Sequence, residues 1–117
     1  MIHRIRTRSE FERLERSGRR VRNELLWCSH LPDPSIRPPR VAFAIGRAHG
    51  PAVARNRLRR RLRPILSTLA AEGTLPPGHL LVGINRSMST QVFAASAADL
   101  RVQLIDLIAK LVPRQAS

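Results

Sequence analysis

The chain has 117 residues, enough for one domain with a single modest hydrophobic core. It carries 21 Lys and Arg residues against 8 Asp and Glu residues, and 20 of the basic residues are arginine. The formal net charge of +13 points to a polyanionic partner, because the planar guanidinium binds phosphate in a bidentate manner. The single cysteine excludes an intramolecular disulfide and zinc-finger spacing, and no apolar run reaches the ~18–20 residues of a membrane span.

The positive charge is concentrated in the first half of the chain. Residues 1–64 contain 17 arginines and five acidic residues, whereas residues 65–117 contain four basic and three acidic ones. We therefore expect the first half to form an interaction surface and the second half to act as a scaffold. The N-terminal stretch MIHRIRTRSEFERLER is charged throughout and lacks the apolar core of a signal peptide, so we expect a cytoplasmic protein.

The first predicted element is a short helix in RSEFERLERSG, residues 8–18. Ser9 is its expected N-cap, Glu10 favours the positive end of the helix dipole, and Gly18 ends it. Residues 20–31 indicate a strand, with an extra strand if that segment breaks in two. The proline-rich stretch PDPSIRPP that follows predicts a turn.

The middle of the chain predicts a strand and then a long helix. RVAFAIG is apolar enough for a central strand. The helix is expected from Pro51, a residue suited to the first turn, to a stop at Gly73. Its apolar residues recur at helical spacing and should face the core. They are Leu58, Leu62, Ile65, Leu66 and Leu69.

The last third predicts a short buried strand in LPPGHLLVGIN and an amphipathic helix from about Ser96 to Val112. The order of elements is therefore α-β-β-α-β-α. We expect an α+β fold, a small sheet of about three or four strands with helices packed on it. A single RNA-binding domain is expected over residues 1–117, with flexible ends at 1–6 and 113–117.

The long helix contains AVARNRLRRRLRPIL, which has no acidic residue. Its leucines fill one sector of the helix, and Asn56, Arg60 and Arg63 share the opposite face. Arg57 and Arg61 lie on one flank of that face. Arg55 and Arg59 lie on the other flank. A solvated surface helix would mix charge signs, and a membrane-surface helix would carry Trp or Phe in this stretch. The charge pattern favours nucleic acid over both alternatives.

The stretch GRAHGPAVARNRLRRRLR resembles the signature of the bacterial ribonuclease P protein subunit. The matching positions are Arg47, Gly50, Ala52, Val53, Arg55, Asn56, Arg57, Arg59, Arg60 and Arg63. This resemblance implies a fold like ribosomal protein S5 domain 2, with a left-handed βαβ crossover. General experience with such crossovers would predict the right-handed form.

The resemblance also implies a function. The protein would be the non-catalytic subunit of a ribonucleoprotein endoribonuclease that removes the 5′ leader of precursor tRNA. The catalytic RNA would perform the hydrolysis with Mg²⁺, and the protein alone would bind no cofactor. One protein and one RNA would form the complex. The alternative is a basic ribosomal or other RNA-binding protein outside tRNA processing. An autonomous nuclease is disfavoured because the eight acidic residues are dispersed.

The resemblance assigns no catalytic or metal residue to the protein. The implied RNA-binding residues are Arg47, Arg55, Asn56, Arg57, Arg59, Arg60, Arg61 and Arg63. The implied leader cleft, between the first helix and the sheet, is lined by Phe11, Leu14, Phe43 and Ile45. Two departures from the family pattern are Gly46, which lacks a hydroxyl, and Pro64, which should kink the long helix or loosen a turn.

Overall fold

The computed structural model describes residues 3–5 and 7–111 of the chain. Within these ranges lie four helices, α1 to α4, and five strands, β1 to β5. The helices are α1 (Arg8–Ser17), α2 (Ala52–Ala71), α3 (Ser89–Ala94) and α4 (Ala97–Leu111). The strands are β1 (His3–Arg4), β2 (Arg19–Arg22), β3 (Leu26–Pro32), β4 (Arg40–Ala44) and β5 (Gly78–Ile84).

The strands form one mixed sheet in the order β1-β4-β5-β3-β2. β1, β4 and β5 are parallel, while β3 is antiparallel to both β5 and β2. Helix α2 connects the adjacent parallel strands β4 and β5, which is the βαβ unit expected from the family resemblance. The α+β class is thus confirmed, and the left hand of the crossover stays a prediction.

The sheet has five strands instead of the expected three or four. The segment 20–31 divides into β2 and β3, and the N-terminal β1 adds an edge strand beside β4. The amide of Ile5 continues this pairing by donating to the Val41 carbonyl at 3.2 Å. Residues 3–5 were expected in a flexible end, and this pairing corrects that expectation. The rest of the expected flexible ends, residues 1, 2, 6 and 113–117, lies outside the described residues.

Helices α2, α3 and α4 cover one face of the sheet and enclose the larger core. The five apolar side chains of α2 predicted to face inward are all buried. In α4, Asp99 lies in the first turn and Lys110 in the last, where each charge complements the helix dipole. Leu26, Cys28, Val41, Leu80 and Val82 meet these helices from the strands.

Helix α1 lies on the opposite face of the sheet. Leu14 is fully buried there and packs in a smaller cluster with Ile5 and Leu81. The N-cap of α1 is Thr7 instead of Ser9, because the Thr7 side chain accepts from the Glu10 amide while the Glu10 carboxylate accepts from the Thr7 amide. This reciprocal capping box satisfies two backbone amides, one more than a lone Ser cap would.

Helix α2 runs without interruption through Pro64, and the kink or loosened turn expected there stays a prediction. Pro64 has no amide hydrogen, and the Arg60 carbonyl therefore lacks the helical donor that the other residues receive. The five buried side chains of α2 hold the helix against the sheet on both sides of Pro64. Among the described residues, no helix is both long and apolar enough to cross a membrane.

Candidate nucleic-acid interface

The outward side of α2 presents a cationic surface free of carboxylates. Asn56, Arg57 and Arg60 are exposed on it, and Arg47 is exposed in the turn that precedes the helix. Arg4, from the edge strand β1, joins Asn56, Arg59, Arg60, Arg63 and Pro64 around an open hollow of about 420 Å³. We call the set Arg4, Arg47, Asn56, Arg57, Arg60 and Arg63 the α2 arginine face.

Asn56 is oriented by a neighbouring arginine. The Arg59 Nη1 atom donates to Asn56 Oδ1 at 2.9 Å, while Arg59 Nη2 donates to the Ile45 carbonyl at 2.8 Å. Since its oxygen is engaged, the exposed Asn56 amide offers mainly its N–H donors to a partner. Arg59 thus ties the arginine helix to the end of β4 and sets the side chain of Asn56.

Arg55 is bonded to the turn before the helix. Its Nε donates to the Gly50 carbonyl at 3.1 Å, and the Gly50 amide donates to the Arg47 carbonyl at 3.3 Å. His49 closes the same turn, because its Nδ1 accepts from the Gly46 amide at 3.1 Å. The turn that carries Arg47 is therefore held by backbone and side-chain bonds at both ends.

Arg61 is turned toward α3. Its Nη2 donates to the Phe93 carbonyl at 2.9 Å and its Nη1 donates to the Ala95 carbonyl, while its Nε is buried. The sequence predicted Arg61 as an RNA ligand because the short helix α3 was not foreseen. The observed bonds place its guanidinium in an intramolecular contact.

Arg63 lies against an aromatic ring at the edge of the α2 arginine face. Its guanidinium carbon is 5.4 Å from the centroid of Phe43, within the range of a cation–π contact. Partial burial, followed by the nearby charge of Arg4, lowers the pKa of Arg63 below its usual value. Arg4 and Arg63 are thus close enough to repel, which an anion placed between them would relieve.

The four residues assigned to a leader cleft do not line one cleft. Phe11 and Leu14 lie on the α1 face of the sheet, whereas Phe43 and Ile45 pack with the core under α2. The reason is the two-residue period of a strand: Val41, Phe43 and Ile45 point to one side, and Ala42 and Ala44 to the other. Leu14 and Ile45 are also fully buried, so neither can touch a ligand.

The aromatic residue on the α1 face is Trp27. It is partly exposed, and the guanidinium carbon of Arg20 lies 3.8 Å from its ring centroid. The indole lies against Gly83 of β5, since a Cβ placed at Gly83 would come within 2.2 Å of Trp27 Cε2. The alternation of Trp27 with the buried Leu26 and Cys28 was the available signal for its orientation.

A shallow hollow of about 420 Å³ opens beside Trp27. Ala44 from β4 and His49 from the turn before α2 line it, together with Asn85 and Arg86 after β5. Asn85 is held in place because its amide donates to the Glu24 carbonyl at 2.8 Å. We call the set Arg20, Trp27, Ala44, His49, Asn85 and Arg86 the Trp27 face.

Helix α1 is fastened beside the Trp27 face by a buried polar contact. Glu10 pairs with Arg40 of β4, and Glu10 Oε1 lies 3.6 Å from Nε2 of His79 on β5. His79 is almost completely buried. These contacts fasten α1 to β4 and β5.

Among the described residues, the other titratable and nucleophilic side chains do not form a cluster. In residues 3–5 and 7–111, no three His, Cys, Asp or Glu side chains cluster in a way that could hold a metal ion. Cys28 is buried in the core, and burial raises the pKa of its thiol to about 12. A thiol in that state is a poor nucleophile, and Cys28 serves as a packing residue.

The chain is similar to known proteins over most of its length. The family model described as Ribonuclease P matches residues 2–111. The ribonuclease P protein component of Acidothermus cellulolyticus is 34% identical over 116 residues, which cover 98% of this chain and 92% of that one. The component of Streptomyces avermitilis is 38% identical over 88 residues, or 68% and 70% of the two chains.

Solved structures show the same fold. The RNase P protein from Thermotoga maritima superposes with a TM-score of 0.80 at 22% identity, covering 95% of this chain and 99% of that one. An RNase P protein from Staphylococcus aureus gives a TM-score of 0.76 at 18% identity, with coverage of 95% and 98%.

Proposed function

Since the chain belongs to the bacterial ribonuclease P protein family, we propose that its two exposed surfaces bind the two RNAs of a tRNA-processing reaction. The chain is the protein component of a ribonucleoprotein endoribonuclease in which RNA carries the catalysis. The α2 arginine face binds the catalytic RNA, and the Trp27 face binds the 5′ leader of precursor tRNA. A ribosomal or other basic RNA-binding protein outside tRNA processing is not favoured, because the match spans residues 2–111.

The observation that carries the proposal is the carboxylate-free charge of the α2 arginine face. Arg57 and Arg60 are exposed, and the acidic residues of the first half are on α1 and in the loops before β4. Phosphates neutralised by such side chains release counterions, which makes binding strong and salt-sensitive. The Asn56 N–H groups add donors for phosphate oxygens or for base carbonyls.

The Trp27 face suits a single strand. Base–aromatic stacking contributes about 1–3 kcal/mol per base with little sequence preference. The Arg20 guanidinium lies over the indole, so a base stacks on the outer plane of Arg20 or takes its place on the ring. Arg86, exposed at the end of the hollow, supplies a charge for the backbone. The double-helical parts of tRNA hide their base faces and cannot use such a surface.

The two surfaces meet at the turn before α2. His49 lines the hollow beside Trp27, and Arg47 lies two residues earlier in the same turn. A leader leaving the Trp27 face in this direction reaches the α2 arginine face directly. This continuity supports a single path for the substrate past the catalytic RNA.

The remaining features of the complex are part of the same proposal. One protein and one catalytic RNA form the working unit in the cytoplasm. The Mg²⁺ ions required for hydrolysis are bound by RNA, and the protein contributes cationic contacts that lower the concentration of Mg²⁺ needed. Phe11 on α1 borders the leader path, since it is partly exposed and packs against the same small cluster as Trp27 on this face of the sheet.

Reconstitution tests this function. The protein is mixed with the ribonuclease P RNA from its own source and with precursor tRNA at low Mg²⁺. We expect faster leader removal than with RNA alone, and tighter binding of precursor tRNA than of the same tRNA without its leader. Equal cleavage with and without the protein would contradict the proposal. Equal affinity for the two tRNAs would contradict the assignment of the Trp27 face.

A further inference from the structure

Arg61 differs from the other arginines of α2 because both Nη atoms of its guanidinium donate to backbone carbonyls at the end of another helix. Its two bonds go to Phe93 and Ala95, at the C-terminal end of α3. Carbonyls at a helix C-terminus lack intrahelical donors and carry partial negative charge, so a guanidinium caps them well. The buried Nε of Arg61 has no hydrogen-bond partner among the described residues, which shows how deeply the side chain is inserted.

We propose that Arg61 is a positioning residue, which does not bind RNA itself and instead sets the turn that presents Arg47 and Arg55. This inference rests on the proposed function of the α2 arginine face. The path from Arg61 to that turn runs through one side chain, the ring of Phe93. Each step of the path is a direct contact.

The Phe93 ring presses on the backbone of Gly50. A Cβ at Gly50 would lie 2.8 Å from Phe93 Cε2, so a larger residue at position 50 would displace the ring. Gly50 in turn accepts the bond from Arg55 and donates to the Arg47 carbonyl. By holding the Phe93 backbone at the end of α3, Arg61 sets where the ring meets Gly50, and Gly50 is bonded to both Arg47 and Arg55.

A matched pair of variants separates positioning from phosphate contact. Arg61→Gln and Arg57→Gln remove the same charge from the same helix, one turn apart, and Arg57 is exposed. Each variant is titrated with the ribonuclease P RNA at several salt concentrations. We expect Arg57→Gln to lower the slope of log affinity against log salt by about 0.7–0.9. Arg61→Gln should weaken binding roughly 2- to 30-fold, and any slope that it loses should be lost equally in Phe93→Leu, which keeps every charge.

A spectroscopic measurement reports directly whether Arg61 affects the ring of Phe93. The chain has three phenylalanines, so protein labelled with 4-fluorophenylalanine gives three ¹⁹F resonances, and Phe93→Leu identifies one of them. At a temperature well below the melting temperature, we expect Arg61→Gln to shift the Phe93 resonance. The resonance of Phe11, on the other face of the sheet, should stay in place. An unshifted Phe93 resonance would overturn the proposal, whatever the RNA titration shows.

If Arg61→Gln does not fold, the variant Phe93→Leu still tests the proposal. It keeps Arg61 and removes the ring that lies between Arg61 and Gly50. Phe93→Leu should weaken RNA binding and change the salt slope to the same extent as Arg61→Gln, and the double variant should be no weaker than the worse single one. Wild-type affinity in Phe93→Leu, or a slope loss in Arg61→Gln that Phe93→Leu does not share, would overturn positioning. An unchanged slope in Arg57→Gln would instead overturn the proposed RNA contact of α2.

Discussion

The guanidinium of Arg20 lies over the indole of Trp27, with 3.8 Å between the Arg20 Cζ atom and the ring centroid. At a partly exposed position such a pair contributes about 0.5–1 kcal/mol. Arg20 belongs to β2 and Trp27 to the antiparallel β3, so the pair also joins the outermost strand to the sheet. The contact stacks a cation on an aromatic ring at the face assigned to the leader.

Replacing Trp27 by alanine should weaken binding of precursor tRNA by the holoenzyme. Loss of one stacked base costs about 1–3 kcal/mol, and binding of tRNA without a leader should not change. Because the chain has one Trp and no Tyr, the emission of the wild-type protein reports this site directly and should change on addition of precursor tRNA. Phe43→Ala is the control, since Phe43 lies on the opposite face and should affect both tRNAs alike.

The salt dependence of RNA binding should identify the phosphate contacts. Arg60→Gln removes an exposed charge from the α2 arginine face and should reduce the slope of log affinity against log salt by about one charge. Arg101→Gln is the matched control, because Arg101 lies on α4 and pairs with Glu72 at 3.4 Å. Equal slopes for Arg60→Gln and the wild-type protein would show that Arg60 is not at a phosphate.

Helix periodicity predicted the elements that carry the core, because a regular spacing of leucines requires nothing from the rest of the chain. All five inward residues of α2 are buried, and the charged and amide side chains at Asn56 and Arg60 are exposed as expected. It was harder to predict which side of a strand faces which helix. Phe43 and Ile45 were assigned to the wrong face because RVAFAIG is apolar on both sides, so its sequence does not reveal which side meets α1.

Long-range contacts could not be predicted from local patterns. The role of Arg61 depends on α3, a six-residue helix without a clear periodic signal. The importance of Trp27 depends on Gly83, which is 56 positions away and becomes its neighbour only through the pairing of β3 with β5. Thr7 was missed as a cap because Ser9 offers a similar side chain two residues later.

Pro64→Ala should stabilise the free protein. Alanine restores an amide donor for the Arg60 carbonyl, and a proline inside a helix is about 3 kcal/mol less favourable than alanine. Pro64 is exposed, so the change leaves no cavity. We expect a rise in the free energy of unfolding, measured with urea, of up to about 3 kcal/mol. An unchanged or lower value would mean that the carbonyl has another donor or that α2 has adapted to the ring.

The stability of the protein should rise between pH 5 and pH 7 because of His30. Burial, and to a smaller extent the nearby His79, lowers the pKa of His30 against the opposing effect of its bond to the Pro77 carbonyl. The unfolded chain therefore binds a proton that the folded chain does not, so His30 destabilises the fold as pH falls through the unfolded value near 6.5. The slope contributed by one such group is at most about 1.4 kcal/mol per pH unit.

A variant isolates that contribution. In His30→Asn the rise in unfolding free energy from pH 5 to pH 7 should become shallower, whatever the absolute stability. A wild-type slope in His30→Asn would assign the pH dependence to another group.

Gly83→Ala should destabilise the protein and disturb the Trp27 face. The new methyl group would meet the indole at about 2.2 Å, and overpacking of this kind costs about 1–3 kcal/mol. The emission of Trp27 should change with it. Trp27→Leu should remove most of the cost, since leucine leaves room for the methyl group, and the coupling is measured by comparing the two single variants with the double one. Additive effects would show that the ring does not rest on Gly83.

The lack of a side chain at Gly83 limits which pairs of residues can occur at positions 27 and 83 in related proteins. An indole at position 27 and any side chain at position 83 exclude each other, so position 83 cannot gain a side chain while Trp27 is present. Relatives that keep a large aromatic residue at 27 should keep glycine at 83, and those with a bulkier residue at 83 should carry a small one at 27. An alignment of many relatives should therefore show the two positions changing together.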